Sequence, residues 1–369
     1  MDKEKIELSN QINKQSSSDV QYAHYIRSFA AVAVIVMHSV GENLQKFNPT
    51  DPYQNQWLSA NFYYSLLRWA SPFFIMISGA FLLNPKKNET IKDFLTKRFR
   101  RVFIPFLFWA VVYTLYENRG FIDQWKAPIW SKVFQKMIFE DVYYHLWFIS
   151  MILSLYFLTP IFRVFIRHAT KFEIEYFLVF TFFITTIQHF IPNVFMIKYV
   201  GWLGYIGFYV MGYYISTFNI EKKKLIYIFG LLMPIITFFA AQYLAEVKGS
   251  YDDKVFVYFS PNVVLISFAF YLYLKNYDWA SFSEKYPKLD SAIHYFSNIS
   301  FGIYFIHVLI IDLLKNFLWD SSKITSDQFI YWAISPFIGT LLQSLTVLIL
   351  SISSIYILSK TPILKKVIL

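Results

Sequence analysis

The chain has 369 residues, of which 56% are hydrophobic, 21% are aromatic and only 16% are charged. About a quarter of the residues of an ordinary water-soluble domain are charged, so this composition excludes that class and favours a membrane-embedded protein. The net charge of +10 is distributed over short segments between apolar runs, which argues against a nucleic-acid-binding face. There is no cysteine, so disulfides, thiolate nucleophiles and cysteine-ligated metals are excluded.

Residues 1–20 are polar and carry charges of both signs. They contain neither the apolar core nor the small-residue cleavage site of a removable signal peptide. We therefore expect a flexible cytoplasmic tail at 1–20. One transmembrane domain is expected to follow over 21–369, and its first span would serve as the insertion signal.

Repeated apolar runs of about 20 residues predict an all-α bundle of membrane-spanning helices. The ten predicted spans are 24–42, 61–83, 102–118, 143–162, 176–192, 201–219, 225–246, 259–275, 301–318 and 330–358. Lysine and arginine concentrate in the tail, in alternate loops and at the C-terminal end, which predicts that both termini lie inside. The sequence thus predicts an integral membrane protein of about ten helices, N-in and C-in.

The first predicted span contains two ionisable residues, Arg27 and His38, which lie eleven positions apart. Eleven residues of α-helix turn about 20° beyond three full turns and rise about 16 Å, so both side chains share one face. With the N-terminus inside, Arg27 lies near the inner surface and His38 lies deeper. Arg27 can instead reach lipid phosphates, and His38 can simply join two helices by a hydrogen bond. Their common face favours a functional channel with an anion anchor and a titratable base.

Glu42 follows His38 by four positions. If the helix continues that far, the carboxylate can reach the imidazole and hold one of its tautomers. Such a contact would raise the basicity of the other ring nitrogen. The alternative is that Glu42 is a solvated residue at the end of the helix.

The segment KRFRR at 97–101 precedes the third predicted span. Arg98 and Arg101 are three residues apart and share a face of a helix, and guanidinium groups bind phosphate in a bidentate manner. A basic cluster in this position is also typical of a stop-transfer signal that contacts lipid headgroups.

The second predicted span carries Arg68 and the segment PFFIMISG at 72–79. Ser78 and Gly79 have small side chains, so we expect another helix to approach closely there. Arg68 lies in an apolar segment and needs a partner, water or a ligand. We group it with the other arginines as a candidate cofactor-binding residue.

Two more histidines lie in apolar segments, His145 in YHLWF at 144–148 and His307 in GIYFIHVLI at 302–310. His145 belongs to an aromatic cluster typical of a membrane interface, although it can also line a cavity. A lone histidine in an apolar helix is more often a packing residue than a catalyst, and this alternative stands for His307. Both are kept as candidate catalytic residues with His38 and Glu42, and Tyr304 is a weaker candidate.

Several common catalytic motifs do not occur. The sequence has no Walker-type phosphate loop, no HExxH motif, no GxSxG elbow and no EF-hand pattern. Nucleotide hydrolysis and zinc-dependent proteolysis are therefore not expected, and neither is a bound metal.

Taken together, these features resemble the acyltransferase-3 family of integral-membrane O-acyltransferases. The resemblance lies in an ordered set of motifs: Arg27-x10-His38, PFFIMISG at 72–79, the RxxR of Arg98 and Arg101, YHLWF at 144–148 and GIYFIHVLI at 302–310. The overall pattern is similar to bacterial members that acetylate cell-surface polysaccharides, including the enterobacterial common antigen acetyltransferase.

This resemblance implies a multi-pass protein of the bacterial plasma membrane that takes an acetyl group from cytoplasmic acetyl-CoA. It implies delivery of that group to a hydroxyl of a cell-surface or lipid-linked polysaccharide, with polysaccharide synthesis or export proteins as further partners. Some members carry an extra esterase-like domain after the membrane part. Because this sequence ends at Leu369 after its last predicted span, we expect direct transfer, or relay to a separate protein.

The resemblance also implies roles for the candidate residues. Arg98 and Arg101, with Arg27, are expected to hold the phosphates of coenzyme A. His38 is expected to deprotonate the acceptor hydroxyl, or to carry the acetyl group itself as an acetyl-imidazole. His145 and His307 are expected to position the acceptor or to stabilise the oxyanion.

Two other functions stay open from the sequence. A carrier or exporter of a polysaccharide or lipid-linked sugar would use a similar body with intramembrane charges, but it would need neither acyl-CoA nor His38. A non-catalytic scaffold in a polysaccharide synthesis complex would tolerate changes of both Arg27 and His38.

Overall fold

The computed structural model describes residues 2–84, 89–119, 131, 134–136, 142–191, 200–318 and 335–368. These described residues form thirteen α-helices and one 3₁₀ helix, Gly41–Lys46, and no strand occurs among them. In chain order the α-helices are α1 (Asp2–Val40), α2 (Asn55–Leu67), α3 (Ala70–Leu82), α4 (Ile91–Glu117), α5 (Trp147–His168), α6 (Lys171–Phe190), α7 (Leu203–Thr217), α8 (Lys223–Lys248), α9 (Pro261–Asn276), α10 (Trp279–Lys285), α11 (Pro287–Leu318), α12 (Pro336–Ser359) and α13 (Pro362–Ile368).

Seven helical stretches within the described residues are long and apolar enough to cross a membrane. They are Gln21–Lys46, Asn55–Leu82, Ile91–Glu117, Trp147–His168, Lys223–Lys248, Pro287–Lys315 and Pro336–Ser359. The other three predicted spans coincide with α6, which begins with the charged sequence KFEIE, and with α7 and α9, which have only 15 and 16 residues. The all-α, multi-pass membrane fold is confirmed, whereas the count of ten and the N-in, C-in orientation stay predictions.

α1 lies inside the bundle and contacts α2, α3, α9, α10, α11 and α12. It is the most deeply buried of the seven candidate spans. Its polar side chains therefore meet other helices: His38 bonds to a residue of α11, and Arg27 lines a cavity with residues of α4, α5 and α11. The backbone of residues 2–20 continues α1, while the cytoplasmic tail at 1–20 and the domain over 21–369 stay predictions.

α3 and α7 cross in close contact at two glycines. A Cβ atom added to Gly79 would lie 1.7 Å from the carbonyl oxygen of Tyr209, and one added to Gly212 would lie 1.9 Å from that of Met76. Neither position has room for any side chain, so the two backbones meet directly. The expected close approach of a helix at Ser78 and Gly79 is confirmed.

The second predicted span, 61–83, is interrupted at Arg68 and Trp69, between α2 and α3. Pro72 has no N–H and cannot donate to the carbonyl of Arg68, so the helical ladder loses that bond. The ladder resumes where the N–H of Phe73 donates to the carbonyl of Trp69 at 3.2 Å. Arg68 therefore lies at the junction of α2 and α3, within the helical stretch Asn55–Leu82.

The outward faces of several helices are apolar. Large exposed hydrophobic side chains follow α6, α8 and α12, for example Phe172, Leu231 and Ile357. A water-soluble surface rarely exposes apolar side chains in such continuous rows, whereas a lipid-facing surface requires them.

Candidate active site

The imidazoles of His38 on α1 and His307 on α11 form a hydrogen-bonded pair. His38 Nδ1 lies 2.7 Å from His307 Nε2, and the two rings are nearly parallel with their centroids 5.0 Å apart. His307 is fully buried, whereas His38 is half-buried. Both are catalytic candidates from the sequence, and the structure brings them together.

The helix backbone determines which nitrogen of each ring carries the proton. His307 Nδ1 lies 3.1 Å from the carbonyl oxygen of Ile303. Because a carbonyl can only accept, Nδ1 of His307 holds the proton, and in the neutral ring its Nε2 is the acceptor. His38 Nδ1 then donates to His307 Nε2. The other nitrogen of His38, Nε2, keeps its lone pair and is available as a base or a nucleophile.

This arrangement corrects the role given to Glu42. The α-helix ends before Gly41–Lys46, which forms a 3₁₀ helix, so a spacing of four positions no longer places the carboxylate beside His38. Glu42 pairs instead with Lys315 Nζ at 2.5 Å, and its side chain is 74% exposed. The group that orients His38 is His307, and Glu42 is the solvated residue of the alternative interpretation.

His145 lies beside the histidine pair, in the turn that precedes α5. Its ring centroid is 5.6 Å from that of His307 and 6.3 Å from that of His38. The residue is only 2% exposed, and neither ring nitrogen has a partner in full hydrogen-bonding geometry among the described residues, although the backbone carbonyl of Phe305 lies near the ring. Its backbone carbonyl accepts from the hydroxyl of Tyr304, which holds the turn in place. Since an unsatisfied buried imidazole is costly, this ring has the capacity to bind a ligand group.

A cavity of about 220 Å³ lies among α1, α3, α4, α5 and α11 and is bordered by two arginines and by Tyr304. Arg27 of α1 and Arg101 of α4 line it, together with Ser297, Ser300 and Tyr304 of α11. Arg27 lies about 16 Å from His38 along the axis of α1, so the cavity begins well below the histidine pair.

Tyr304 links this cavity to the histidines. Its ring centroid lies 5.5 Å from that of His145 and 6.1 Å from that of His307. A ligand that is anchored at the arginines and follows the cavity would therefore end against Tyr304 and His145, next to the histidine pair.

Arg98 and Arg101 share α4 but border different spaces. Arg101 lines the cavity with Arg27, whereas Arg98 lines a neighbouring groove of about 330 Å³ together with Tyr156. The two spaces are adjacent, because the two arginines lie within one turn of the same helix. The RxxR pair can thus contact two parts of one extended ligand.

None of these three arginines forms an ion pair with a carboxylate among the described residues. Arg27 and Arg98 are half-buried and Arg101 is exposed, and Arg98 Nε has no hydrogen-bond partner. The nearby carboxylate of Glu89 forms an ion pair with Lys97, whose Nζ lies 3.0 Å from Glu89 Oε1. Guanidinium groups without a carboxylate beside a cavity are suited to bind an anion such as phosphate.

Arg68 does not belong to this group. Its Nε donates to the carbonyl of Phe256, and its guanidinium lies 4.1 Å from the ring centroid of Tyr258 and 5.7 Å from that of Tyr64. Tyr64 packs against the chain just after α1, because a Cβ added to Gly41 would lie 2.7 Å from its hydroxyl. Arg68 thus lies toward the His38 end of α1, and the structure does not bring it together with the arginines that line the cavity.

Two cavity residues, Ser297 and Ser300, were not predicted. They recur with Tyr304 and His307 at intervals of three and four along α11, so all four side chains lie on one side of the helix. This polar stripe in an otherwise apolar helix is a sequence pattern that could have predicted Ser297 and Ser300 as cavity residues.

Tyr113 was also not predicted, and no motif marks it. Its hydroxyl donates to the carbonyl of Phe305 at 2.6 Å and accepts from the N–H of Leu309 at 3.1 Å. The hydroxyl thereby bridges two backbone groups of α11 that flank His307. Tyr113 fixes α4 against α11 at the level of the histidine pair.

Comparison with known proteins identifies one family. The model of the acyltransferase-3 family, described as an acyltransferase domain, matches residues 20–360. This range includes all the candidate residues discussed above. No curated protein and no solved structure gives a match.

Proposed function

The chain belongs to the acyltransferase-3 family of membrane acyltransferases, and we propose that it is an O-acetyltransferase of the bacterial plasma membrane. In this proposal acetyl-CoA is the donor, and a hydroxyl of a cell-surface or lipid-linked polysaccharide is the acceptor. The observation that carries the proposal is a cavity lined by arginines without carboxylate partners and by Tyr304. The ring of Tyr304 lies 6.1 Å from that of His307, a member of the histidine pair with an oriented lone pair.

The shape and charge of coenzyme A match this arrangement. Its 3′-phosphate and diphosphate are anionic, so Arg27 and Arg101 would hold them at the cavity, with Arg98 at the adjacent groove. The pantetheine arm is long and thin, and Ser297 and Ser300 would provide polar partners for its amide groups. The thioester would then reach the layer formed by Tyr304 and His145.

His38 would act as the general base. Its Nε2 takes the proton from the acceptor hydroxyl, and the oxygen attacks the carbonyl carbon of the thioester. The carbon–sulfur bond breaks, and the coenzyme A thiolate recovers the proton from the imidazolium of His38. The products are the acetyl ester and coenzyme A, and His307 keeps His38 in the productive tautomer throughout.

His145 would stabilise the negative charge that develops on the thioester oxygen. A neutral imidazole always carries one N–H, and neither ring nitrogen of His145 is engaged in hydrogen-bonding geometry among the described residues. A donor that is already buried and fixed needs little reorganisation when the charge forms. This role would explain why a polar imidazole is buried here, although burial without a hydrogen-bond partner costs folding free energy.

The test follows the turnover of radiolabelled acetyl-CoA by the protein in nanodiscs. We expect slow hydrolysis by the wild type, binding without turnover for His38→Ala, and loss of binding for Arg27→Ala/Arg101→Ala. Arg167→Ala is the matched control, because this arginine is exposed at the end of α5 and lies outside the cavity. Label that stays on the protein after rapid denaturation at neutral pH and is released by hydroxylamine would indicate the acetyl-imidazole route in place of the general base.

The opposite result would favour another function. If the wild type neither binds nor hydrolyses acetyl-CoA, and His38→Ala behaves like the wild type in cells, the acyltransferase mechanism proposed for this site is wrong. The carrier or exporter of a polysaccharide or lipid-linked sugar would then be the preferred alternative.

A further inference from the structure

We propose that Tyr144 is the acceptor subsite of this enzyme, a stacking platform for the pyranose ring whose hydroxyl is acetylated. The inference rests on the proposed function, because it assigns the acceptor to the side of the half-buried His38 that contacts Tyr144. It names the acceptor class as a pyranoside that is neutral at the ring next to the reacting hydroxyl.

Tyr144 combines exposure with direct contact to the base. Its ring meets the imidazole of His38 edge to face, with the centroids 5.6 Å apart and the planes at 84°. It is 53% exposed, although the residues on both sides of it are buried or half-buried. A molecule that stacks on this ring is therefore adjacent to the half-buried imidazole of His38.

The platform is held rigidly by its neighbours. Tyr143 stacks on Tyr113 with centroids 4.5 Å apart and donates its hydroxyl to Asp312. On the other side His145 is buried, and the N–H of Leu146 closes the turn on the carbonyl of Tyr143 at 2.8 Å. Because the residues on both sides are fixed, the fold itself holds the side chain of Tyr144 at the surface.

Charged groups at the same end of the bundle provide hydrogen-bonding partners. The carboxylates of Asp312 and Glu42 act electrostatically on Tyr144, and Glu42 is paired with Lys315. Carboxylate oxygens accept hydrogen bonds from hydroxyl groups, whereas they repel anionic ligands. The cations Lys315 and Arg68 act electrostatically on His38 and balance these two carboxylates. The surroundings thus favour a ligand rich in hydroxyls and offer a uronic acid or a sugar phosphate no excess positive charge.

A pyranose ring has the matching surface. One of its faces is a patch of C–H groups that packs on an aromatic ring, and its rim carries hydroxyls. Stacked on Tyr144, such a ring would present its rim to the carboxylates and one hydroxyl to His38. An aromatic residue that merely anchors the protein at the membrane interface would need neither the fixed turn nor the contact with His38.

The experiment is saturation-transfer difference NMR on the protein in nanodiscs of deuterated lipid. The probes are methyl β-D-glucopyranoside as the neutral pyranoside and methyl β-D-glucuronide as the anionic one. The variants are Tyr144→Phe and Tyr144→Trp, which keep an aromatic face, and Tyr144→Leu, which keeps only apolar volume. Tyr53→Leu is the matched control, because Tyr53 is a 65% exposed tyrosine of another segment. Turnover of acetyl-CoA without acceptor is followed in parallel.

We expect saturation of the ring C–H protons of the neutral probe for the wild type, for the Phe and Trp variants and for the Tyr53 control. Tyr144→Leu should weaken this signal about tenfold, the factor expected when one aromatic contact of this kind is lost. The anionic probe should give a weaker signal than the neutral one. The Tyr53→Leu control should turn over acetyl-CoA without acceptor at the wild-type rate.

Equal saturation in the wild type and Tyr144→Leu would overturn the subsite, and so would the absence of saturation by the neutral probe in the wild type. Either result would leave the acyltransferase proposal standing if acetyl-CoA is still turned over. Conversely, a wild type that does not turn over acetyl-CoA contradicts the acyltransferase proposal, and the pyranoside signal then reports on Tyr144 independently.

Discussion

His38 and His307 lie 269 positions apart in the chain, yet their imidazoles share a hydrogen bond of 2.7 Å. The bond crosses from α1 to α11, and it continues from His307 to the carbonyl of Ile303 one turn earlier. The orientation of the proposed base therefore depends on the helical backbone of α11 and on the packing of two helices.

The first prediction concerns the acceptor atom that His307 presents to His38. His307→Leu removes it, so we expect turnover of acetyl-CoA to fall by about a hundredfold, within the usual range for general-base catalysis. His307→Gln offers an amide oxygen to His38 Nδ1 and should recover part of the loss. Coenzyme A affinity, measured by calorimetry, should be unchanged in both variants. Equal rates for the Leu and Gln variants would show that His307 acts only by packing.

The second prediction separates the arginines by position. Arg101→Ala should weaken coenzyme A binding about tenfold or more, because a hydrogen bond to a charged group contributes about 1.5–3 kcal/mol. Arg68→Ala should leave the affinity unchanged, since Arg68 contacts Phe256, Tyr258 and Tyr64 and does not line the cavity. The dissociation constants of both variants in nanodiscs provide the check. A loss of affinity in Arg68→Ala that matches Arg101→Ala would contradict the separation of the two groups.

The third prediction tests the crossing of α3 and α7. Gly79→Ala would place a methyl group 1.7 Å from a backbone oxygen, so the helices must move apart, at a cost of about 1–3 kcal/mol or more. Thermal unfolding followed by tryptophan fluorescence in detergent should show a clearly lower Tm. Ser78→Ala is the control, because that hydroxyl donates to Phe74 of its own helix at 2.8 Å. We expect a much smaller change for the control, and equal shifts would argue against the backbone contact.

The fourth prediction concerns pH and Glu89, which precedes α4 outside the predicted spans. The hydrogen bond from Lys97, with the positive charges of Arg98 and Arg163, holds the pKa of Glu89 below its ordinary value of 4.5. A carboxylate with a lowered pKa stabilises the folded state above its ordinary pKa, and this contribution is lost as the pH falls through the lowered value.

Glu89→Gln should therefore lower Tm at neutral pH. The change should be small, because Lys97 is 67% exposed and solvent screens the pair. The difference from the wild type should vanish in acid, where the wild-type carboxyl is also neutral. Melting curves at neutral and acidic pH check this, and a difference that grows in acid would contradict the assignment.

The sequence was sufficient for the features that depend on local pattern. Long apolar runs predict helices because no other segment satisfies its own backbone in lipid. Within the described residues each predicted span overlaps one α-helix or, at 61–83, two. The spacing of Arg27 and His38 places both on one helix face, and both face protein partners in the structure. Gly79 indicated the close helix contact for the same reason, because the absence of a side chain is a local property.

Predictions from the sequence were wrong or missing where a helix ended and where two segments distant in the chain came into contact. The expected contact of Glu42 with His38 needed an α-helix that continued, but the chain changes to a 3₁₀ helix at Gly41. Arg68 lies at a break in the helix because Pro72 cannot donate a hydrogen bond to its carbonyl. The proline at position 72 is visible in the sequence and could have predicted this break. The contact between His38 and His307 depends on tertiary packing, and no pattern along one chain specifies it.

The carbonyl of Ile303 orients His307 without introducing a charge. A carboxylate in its place would carry a formal charge into a medium of low dielectric constant, where it would be costly to keep ionised. Because the relay of two neutral rings and a peptide group has no net charge, the transmembrane voltage does no work on it at rest. A full charge that crosses the membrane gains or loses about 2.3 kcal/mol per 100 mV. Voltage could therefore act on this relay only in the moment when His38 holds a proton, so a change of membrane potential would leave the resting histidine pair undisturbed.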